Sequence, residues 1–315
     1  MIEYIERAWD KRKKFAYRLE KEKTDTFRLF GGDPEGIPGL FVDQFGPVVM
    51  MVTYPDQCPL GDFTLTEIAT WYPQIPGIRS VYHKRFQKTR KEDPSLFSPQ
   101  PLVGKMASSE FCVMEYGRKF LIRPYDGFSV GLFIDQRENR NMLAEGVSGC
   151  RILNGFSYTC GFSVACALSG AETVSVDISP KNLEWGKENF HSNGILLSRH
   201  QFIAEDIFDY LRCAKRGGEK FDRVILDPPS FSRNRKGKVF SVKKDFARLI
   251  EAASHVLLPK GHLFFSTNYS KWKMRDLKER MRAVLGTCEF LQLPDLPIDF
   301  RLGVAPHVAV RVRRN

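Results

Sequence analysis

The sequence predicts an α/β fold, a mostly parallel sheet with helices on both faces, preceded by a small α+β domain. Three features of the 315 residues point that way. From about Phe128 onward, short apolar runs alternate with helical stretches, the pattern of strand–helix–strand units. Several of those runs end in polar residues: Asn154-Gly155, Asp177, Asp206 and Asp227-Pro228-Pro229. Ligands of open α/β sheets bind beyond the carboxyl ends of the strands, so polar strand ends in series outline one crevice. Between Thr24 and about Asp126 the texture is instead β-rich, with turns full of Gly and Pro.

Residues 1–23 read as an amphipathic helix. Ile2, Ile5, Trp9 and Phe15 supply one apolar stripe, and Lys11, Arg12, Lys13, Lys14, Arg18, Lys21 and Lys23 form a basic cluster. That cluster is either a solvated face or a contact for nucleic acid, and both readings are open. Residues 24–126 read as a small α+β module. FRLFGGDPEGIPGLFVDQFG is two strands around a turn, VVMMVTY a strand, Leu65–Trp71 a helix, Ser80–Tyr82 the start of a strand, and FCVMEYGRKFLIRP a hairpin turning near Gly117. Within it, HKRFQKTRKEDPSLFSPQP (83–101) is a basic loop of a length that usually serves a function.

Residues 127–315 carry the alternating pattern. RILN (151–154) is a strand, followed by an apolar helix ending near Gly170 and the strand TVSVD (173–177). The next helix has Ser179 as its N-cap, Pro180 in its first turn and Gly194 past its end. QFIAED (201–206) and FDRVILDPP (221–229) are strands, Val242–Leu258 a helix, GHLFFSTN (261–268) a strand and Arg275–Leu285 a helix. CEFLQL and HVAVRVR close the chain as strands.

Composition narrows the class of function. Lys and Arg number 48 against 37 Asp and Glu, a formal charge of +11 that suits a polyanionic partner without proving one. Hydrophobic residues at 43% and charged residues at 27% are ordinary for a globular chain. No apolar run approaches the roughly 20 residues that span a bilayer, and the charged opening has no signal-peptide core, so no membrane partner is expected. The 7 cysteines are scattered without a C-x-x-C pair. That argues against a disulfide framework and a zinc site, and predicts a reduced, cytoplasmic protein.

The crevice residues say which ligand fits. Asp177 lies 22 residues after Gly155, a spacing suited to a carboxylate that takes two ribose hydroxyls. The loop N-G-F-S-Y-T-C-G (154–161) lacks the G-x-G-x-x-G spacing of dinucleotide sites, and no G-x-x-x-x-G-K-[ST] occurs. A nucleoside without phosphates, such as S-adenosylmethionine, fits better. Asp206 would then accept from an adenine amine and Asp177 from the ribose. In DPPSF (227–231) two prolines fix the backbone after a buried strand, holding Asp227 at the crevice edge, and Phe231 offers a stacking face.

At this point a resemblance enters. LNGFSYTCGFSVACALSGAETVSVDISPKNLEWGKENFHSNG resembles the cofactor motif of class I S-adenosylmethionine-dependent methyltransferases. GLFIDQRENR (131–140), LDPPSFS (226–232), LFFSTNYSKWKM (263–274) and the final DFRLGVAPHVAVRVRR are similar to the branch that modifies bacterial 23S ribosomal RNA, and most of all to its guanine-N7 enzymes. The resemblance covers nearly the whole chain. It implies a Rossmann-like catalytic domain with a mostly parallel seven-stranded sheet. It also implies that Phe133, Asp135, Gln136 and Arg137 border the methionine end of the cofactor, with Asn154, Phe156, Ser157 and Tyr158 as the loop beneath it. Asp177 and Ile178 would hold ribose and flank adenine, Asp206 and Ile207 would face the adenine edge, and Asp227, Pro228 and Pro229 would face the methyl group. Gln136 stands where that pattern has His, and STN (266–268) where it has Ser-Asn-Asn, which bears on the target base more than on the reaction.

Chemistry separates the possible bases. Methylation of cytosine carbon-5 needs a covalent nucleophile, normally a cysteine at one of two strand ends, and DPPSF and STNYS contain none. Guanine N7 carries a free lone pair, so its methylation needs positioning alone. Asp227 and Asn268 are the residues expected to orient the base, with Phe231 stacking. An exocyclic amine remains open, since Asp227 can accept its proton. So do a protein substrate and a non-catalytic RNA-binding assembly factor. Ribosomal RNA is the expected partner, through basic loops 84–91 and 233–244 and the N-terminal helix, with Phe240 beside Phe231 as a second stacking ring.

Overall fold

The computed structural model describes residues 1–86, 100–233, 237, 239–301 and 307–314. The chain forms two compact units, Met1–Arg137 with Leu296–Ala305, and Glu138–Asp295 with Pro306–Asn315.

In the first unit, helix α1 (Ile2–Lys21) is followed by strands β1 (Thr26–Gly31), β2 (Leu40–Phe45) and β3 (Val48–Thr53), helix α2 (Asp62–Trp71), strands β4 (Ser80–Arg85) and β5 (Val103–Gly104), and the hairpin β6 (Phe111–Glu115) and β7 (Arg118–Ile122). The five-stranded sheet runs β1-β2-β3-β4-β5, antiparallel except at β3–β4, the pair that α2 connects. Helix α1 buries Ile5, Ala8, Arg12, Phe15 and Leu19, whose spacing of three and four puts them on one face. The four apolar ones join Phe27, Leu29, Val49, Leu65 and Ile68 in one apolar core.

The helix therefore belongs to the core of this unit rather than forming a segment of its own at 1–23. Of its basic cluster, Arg12 is inside: both of its terminal nitrogens bond Glu35, at 2.7 and 2.8 Å. Lys84 is likewise removed from the basic loop at 84–91, because its ammonium is buried and donates to the Gly127 carbonyl at 2.5 Å. Burial lowers that lysine to about 8. Residues 87–99 of the loop lie outside the described residues.

The first unit also takes in a segment from far along the chain. Asp299, on helix α9 (Ile298–Arg301), is fully buried and accepts from Arg137 Nη2 at 2.6 Å and from the Arg28 amide at 2.8 Å. Arg12 donates to its carbonyl. A carboxylate at residue 299 therefore neutralises an arginine 162 positions earlier, which is why residues 296–301 fold with the N-terminal unit.

The second unit begins with α3 (Arg137–Leu143), whose first residue closes the first unit, and continues β8 (Arg151–Gly155), α4 (Gly161–Leu168), β9 (Glu172–Asp177), α5 (Pro180–Ser192), β10 (Gln201–Ala204), α6 (Ile207–Arg216) and β11 (Phe221–Leu226). Then follow the short strands β12 (Phe231–Arg233) and β13 (Val239–Ser241), α7 (Val242–Val256), β14 (Leu257–Thr267), α8 (Met274–Leu285), β15 (Cys288–Leu291) and β16 (Val308–Arg314). The seven-stranded sheet is ordered β10-β9-β8-β11-β14-β16-β15, parallel through β14 with β16 antiparallel to both its neighbours. This is the Rossmann-like sheet expected from the sequence. Strand order reverses between β8 and β11, which makes the gap beyond Gly155 and Leu226 the switch point of the sheet. No helix among the described residues is long and apolar enough to cross a membrane.

Replacing Asp299 with Ala leaves Arg137 charged and uncompensated in a dry interior. The expected loss in unfolding free energy is about 3–5 kcal/mol by chemical denaturation. Removing Glu279 from its exposed pair with Arg275 is expected to cost no more than about 0.5 kcal/mol.

Candidate cofactor and methyl-transfer site

The site in the second unit is built on the turn from β8 into α4. Phe156, Tyr158 and Cys160 all have positive φ, at 60°, 49° and 63°, a conformation that costs a non-glycine residue about 1–2 kcal/mol each. Neighbouring groups hold the turn in place. The Ser157 amide donates to the Val176 carbonyl at 3.0 Å, and the Tyr158 amide to Asp177 Oδ2 at 2.9 Å. Asn189 bonds the Thr159 carbonyl from α5. A Cβ at Gly155 would stand 2.7 Å from Ile207 Cδ1 and 2.8 Å from Leu226 Cδ2, so a side chain there would push both aside.

Asp177 ends β9 and joins three parts of the site. Its Oδ1 accepts from the Ser179 amide at 2.9 Å and from the Asn182 side chain at 3.2 Å, while Oδ2 holds the strained turn. Burial raises the Asp177 carboxyl above its ordinary range, an effect these hydrogen bonds oppose. Ile178 beside it is half exposed. Asp206 serves as the N-cap of α6 through Phe208, as an aspartate after a strand commonly does, and Ile207 is buried beneath Gly155.

Asn154 is the most informative residue. Its amide nitrogen donates to Ser163 Oγ at 2.9 Å, and Ser163 pairs with Ser175 at 2.8 Å, a buried polar chain across β8, α4 and β9. Its Oδ1 is buried with no hydrogen-bond partner among the described residues. A buried acceptor without a donor costs about 1–3 kcal/mol, and at the switch point it fits a ligand that brings an N–H.

At the carboxyl end of β11, Asp227 is partly buried, Pro228 buried and Pro229 exposed, and Phe231 stands 60% exposed. The chain then forms a hairpin, with Phe231 opposite Ser241, where the sequence suggested a plain basic loop. Residues 234–236 and 238, between the two strands in sequence, lie outside the described residues. Phe240 is not a free stacking ring, since it packs on Phe156 at 5.2 Å and Phe208 at 6.3 Å between centroids. One contact was not foreseen: Ser230 Oγ donates to Asn268 Oδ1 at 2.7 Å, tying the end of β11 to the end of β14. With that oxygen accepting from Ser230, the NH2 group of exposed Asn268 remains a donor.

Phe133, Asp135, Gln136 and Arg137 belong to the first unit. Phe133 is half exposed, ahead of a 3₁₀ turn over Ile134–Gln136, in which Asp135 is partly buried and Gln136 buried. Arg137 is committed to Asp299 and to the Thr26 carbonyl, a packing role.

A family profile described as S-adenosylmethionine-dependent methyltransferase matches residues 89–294. The chain belongs to this family. It is 37% identical over 197 residues to ribosomal RNA large subunit methyltransferase K from Neisseria meningitidis, an alignment over 62% of this chain and 54% of the relative. It is 30% identical over 266 residues to ribosomal RNA large subunit methyltransferase I from Escherichia coli, covering 84% of this chain and 66% of that one. The chain thus spans from about half to two thirds of these curated relatives. A methyltransferase solved in complex with SAH superposes with a TM-score of 0.87 at 30% identity, over 99% of this chain and 80% of the other. The cofactor of this family, S-adenosylmethionine, is a nucleoside bearing an ammonium group and no phosphate. It suits the unpaired Asn154 oxygen and the Asp177 carboxylate.

Asp177→Asn is expected to weaken binding of S-adenosylmethionine about 10- to 100-fold by calorimetry, the value of hydrogen bonds to a charged group. Because burial raises the Asp177 carboxyl, affinity of the unaltered protein is expected to fall on acidification from above the ordinary carboxylate range. The Asp177→Asn variant is expected to lose that pH dependence.

Proposed function

We propose that this protein methylates ribosomal RNA, at N7 of a guanine, by positioning the base against the bound cofactor. The observation that carries the reading is the Ser230–Asn268 hydrogen bond, which leaves an amide donor fixed at the crevice edge. Guanine presents two acceptors side by side, O6 and N7. An amide that donates to O6 holds the ring while N7 keeps its lone pair for the methyl group. Asp227, on the rigid Pro228-Pro229 exit, accepts from the guanine N–H groups on the opposite side of O6, and Phe231 stacks on the ring. The bound cofactor supplies an electrophilic methyl group on a sulfonium. Asn154 and Asp177 bind its amino acid and ribose ends, Phe156, Ser157 and Tyr158 form the loop beneath it, and Ile178, Asp206 and Ile207 line the adenine. The resemblance in sequence assigns Phe133, Asp135 and Gln136 to its methionine end. Nothing must remove a proton from N7, so no general base is needed.

Cytosine carbon-5 fits this chain poorly. Cys160, the cysteine of the cofactor turn, is buried and donates to Ser157 and Tyr158. Burial pushes its thiol up to about 12, so it supplies no thiolate at neutral pH.

Helix α1 supports an RNA partner. Arg7, Lys11, Lys14, Arg18 and Lys21, all exposed, follow one another at spacings of four and three. They form one stripe of like charges on the helix, each adjacent pair unfavourable by about 0.2–0.5 kcal/mol, offset at Arg18 by its ion pair with Glu22. A phosphate backbone reverses that cost.

The test is nucleoside mass spectrometry of ribosomal RNA treated with enzyme and isotope-labelled S-adenosylmethionine. Labelled 7-methylguanosine is expected, reduced about 10²-fold or more in rate by Asp227→Ala or Asn268→Ala with cofactor binding retained. A label on cytosine or on an exocyclic amine would overturn the base assignment while keeping the enzyme class. No label in RNA would overturn the substrate. Replacing Lys11, Lys14 and Arg18 together with Ala is expected to weaken RNA binding and to lower the slope of log affinity against log salt by about 2–3.

A further inference from the structure

A second group of charged residues stands at the other end of the sheet in the second unit. On adjacent strands β11, β14 and β16, Arg223 is opposite His262 and His262 opposite Arg313, while Arg311 lies two residues before Arg313 on the same face. His262 is five residues before the carboxyl end of β14, so the group lies roughly 16 Å along the sheet from the methyl-transfer site.

These cations are not equally satisfied. Arg223 is buried and donates to the carbonyls of Leu143, Glu145 and Gly146 at 3.0, 2.8 and 3.2 Å, at the end of α3. Arg313 pairs with Glu289 of β15 at 2.9 Å. Arg311 meets only weak or neutral acceptors among the described residues, the Met142 sulfur at 3.1 Å and His262 Nδ1 at 2.8 Å. Its Nε is buried with no partner there. A guanidinium in that state has desolvated its charge without gaining an oxygen acceptor.

His262 adds a mismatch. A neutral imidazole has one acceptor nitrogen, and Nδ1 spends it on Arg311. The proton must then sit on Nε2, which faces another donor, Arg313 Nε, at 3.5 Å. The carboxylates that act on the group are Glu289, on Arg313, and Glu145, felt by Arg311. Two guanidinium groups and an imidazole N–H therefore converge with donors to spare, the arrangement that accepts several oxygens of one anion.

We propose that Arg311, Arg313 and His262 form a binding site for a phosphoryl oxyanion, either a phosphodiester of a polynucleotide or free phosphate. The anion accepts from the unpaired Nε of Arg311, from Arg313 and from Nε2–H of His262, and removes the opposed donors. Arg223 strengthens the field from its place against the carbonyls at the end of α3. The site is separate from the crevice and does not depend on which base is methylated.

The imidazole of His262 reports occupancy directly. Burial and the three arginines hold it down at about 4. An anion beside it favours the imidazolium, so binding raises the midpoint. The experiment is an NMR titration of the histidine side chains in the full chain, with His262 assigned through His262→Gln. It is run in chloride, in inorganic phosphate and with a short RNA at equal ionic strength. A rise of at least one pH unit in phosphate over chloride is expected, and its absence in Arg311→Met. A rise with RNA alone assigns the site to a polynucleotide backbone, and a rise with both includes the free ion. Equal midpoints in all three solutions for the unaltered protein would overturn the proposal, whether or not the Arg311 variant folds. A rise that persists in a folded Arg311→Met protein would overturn it too.

Discussion

A turn that places three non-glycine residues in the left-handed region must be held from outside, and the Asp177 carboxylate does much of the holding. It accepts from the Tyr158 amide inside the turn and from the Ser179 amide that opens α5. The same group is the one that suits a ribose. Turn geometry and the start of α5 are thereby coupled through one side chain, and the positive-φ residues Phe156, Tyr158 and Cys160 all lie in the turn it holds. Gly155 adds a second constraint, since Ile207 and Leu226 close on the place its side chain would take. Together they fix where the switch point opens.

The second constraint is buried charge. Arg137, Asp299, Arg12 and Glu35 lie in the interior of the first unit as two ion pairs, linked by the bond from Arg12 to the Asp299 carbonyl. Buried pairs of this kind add little net stability over apolar residues of the same size, but an unpaired member is strongly unfavourable. Such a network therefore selects one arrangement of distant segments, and in this chain it selects the docking of Ile298–Arg301.

That distinction explains what the sequence makes legible. The alternating elements and the strand-end residues are local patterns, so the sheet and the polar ends at Asn154, Asp177 and Asp227 can be read directly. Ser179 as a cap is legible for the same reason. The place of Asp299 is not, because its partner Arg137 is 162 residues away and neither has a local signature. The hairpin formed by Phe231–Arg233 and Val239–Ser241 is hidden by its basic composition, although VFS carries a short strand pattern. Phe240 illustrates the limit at a single residue: an aromatic next to a basic run reads as a stacking ring until Phe156 and Phe208 are found against it.

Charge shows the same limit in another form. The formal +11 counts every lysine and arginine alike. In the structure Arg12 and Arg137 are neutralised by buried carboxylates, Lys84 is spent on a carbonyl, and Arg223 on the end of a helix. The two paired arginines contribute little to attraction at the surface, however much they raise the isoelectric point. What remains is more ordered than the total suggests: Arg7, Lys11, Lys14, Arg18 and Lys21 keep the spacing of one helical face. Beside that stripe, Asp10 pairs with Lys13, and Glu22 pairs with Arg18 at its end. The position of basic residues, rather than their number, is what points to a polyanion.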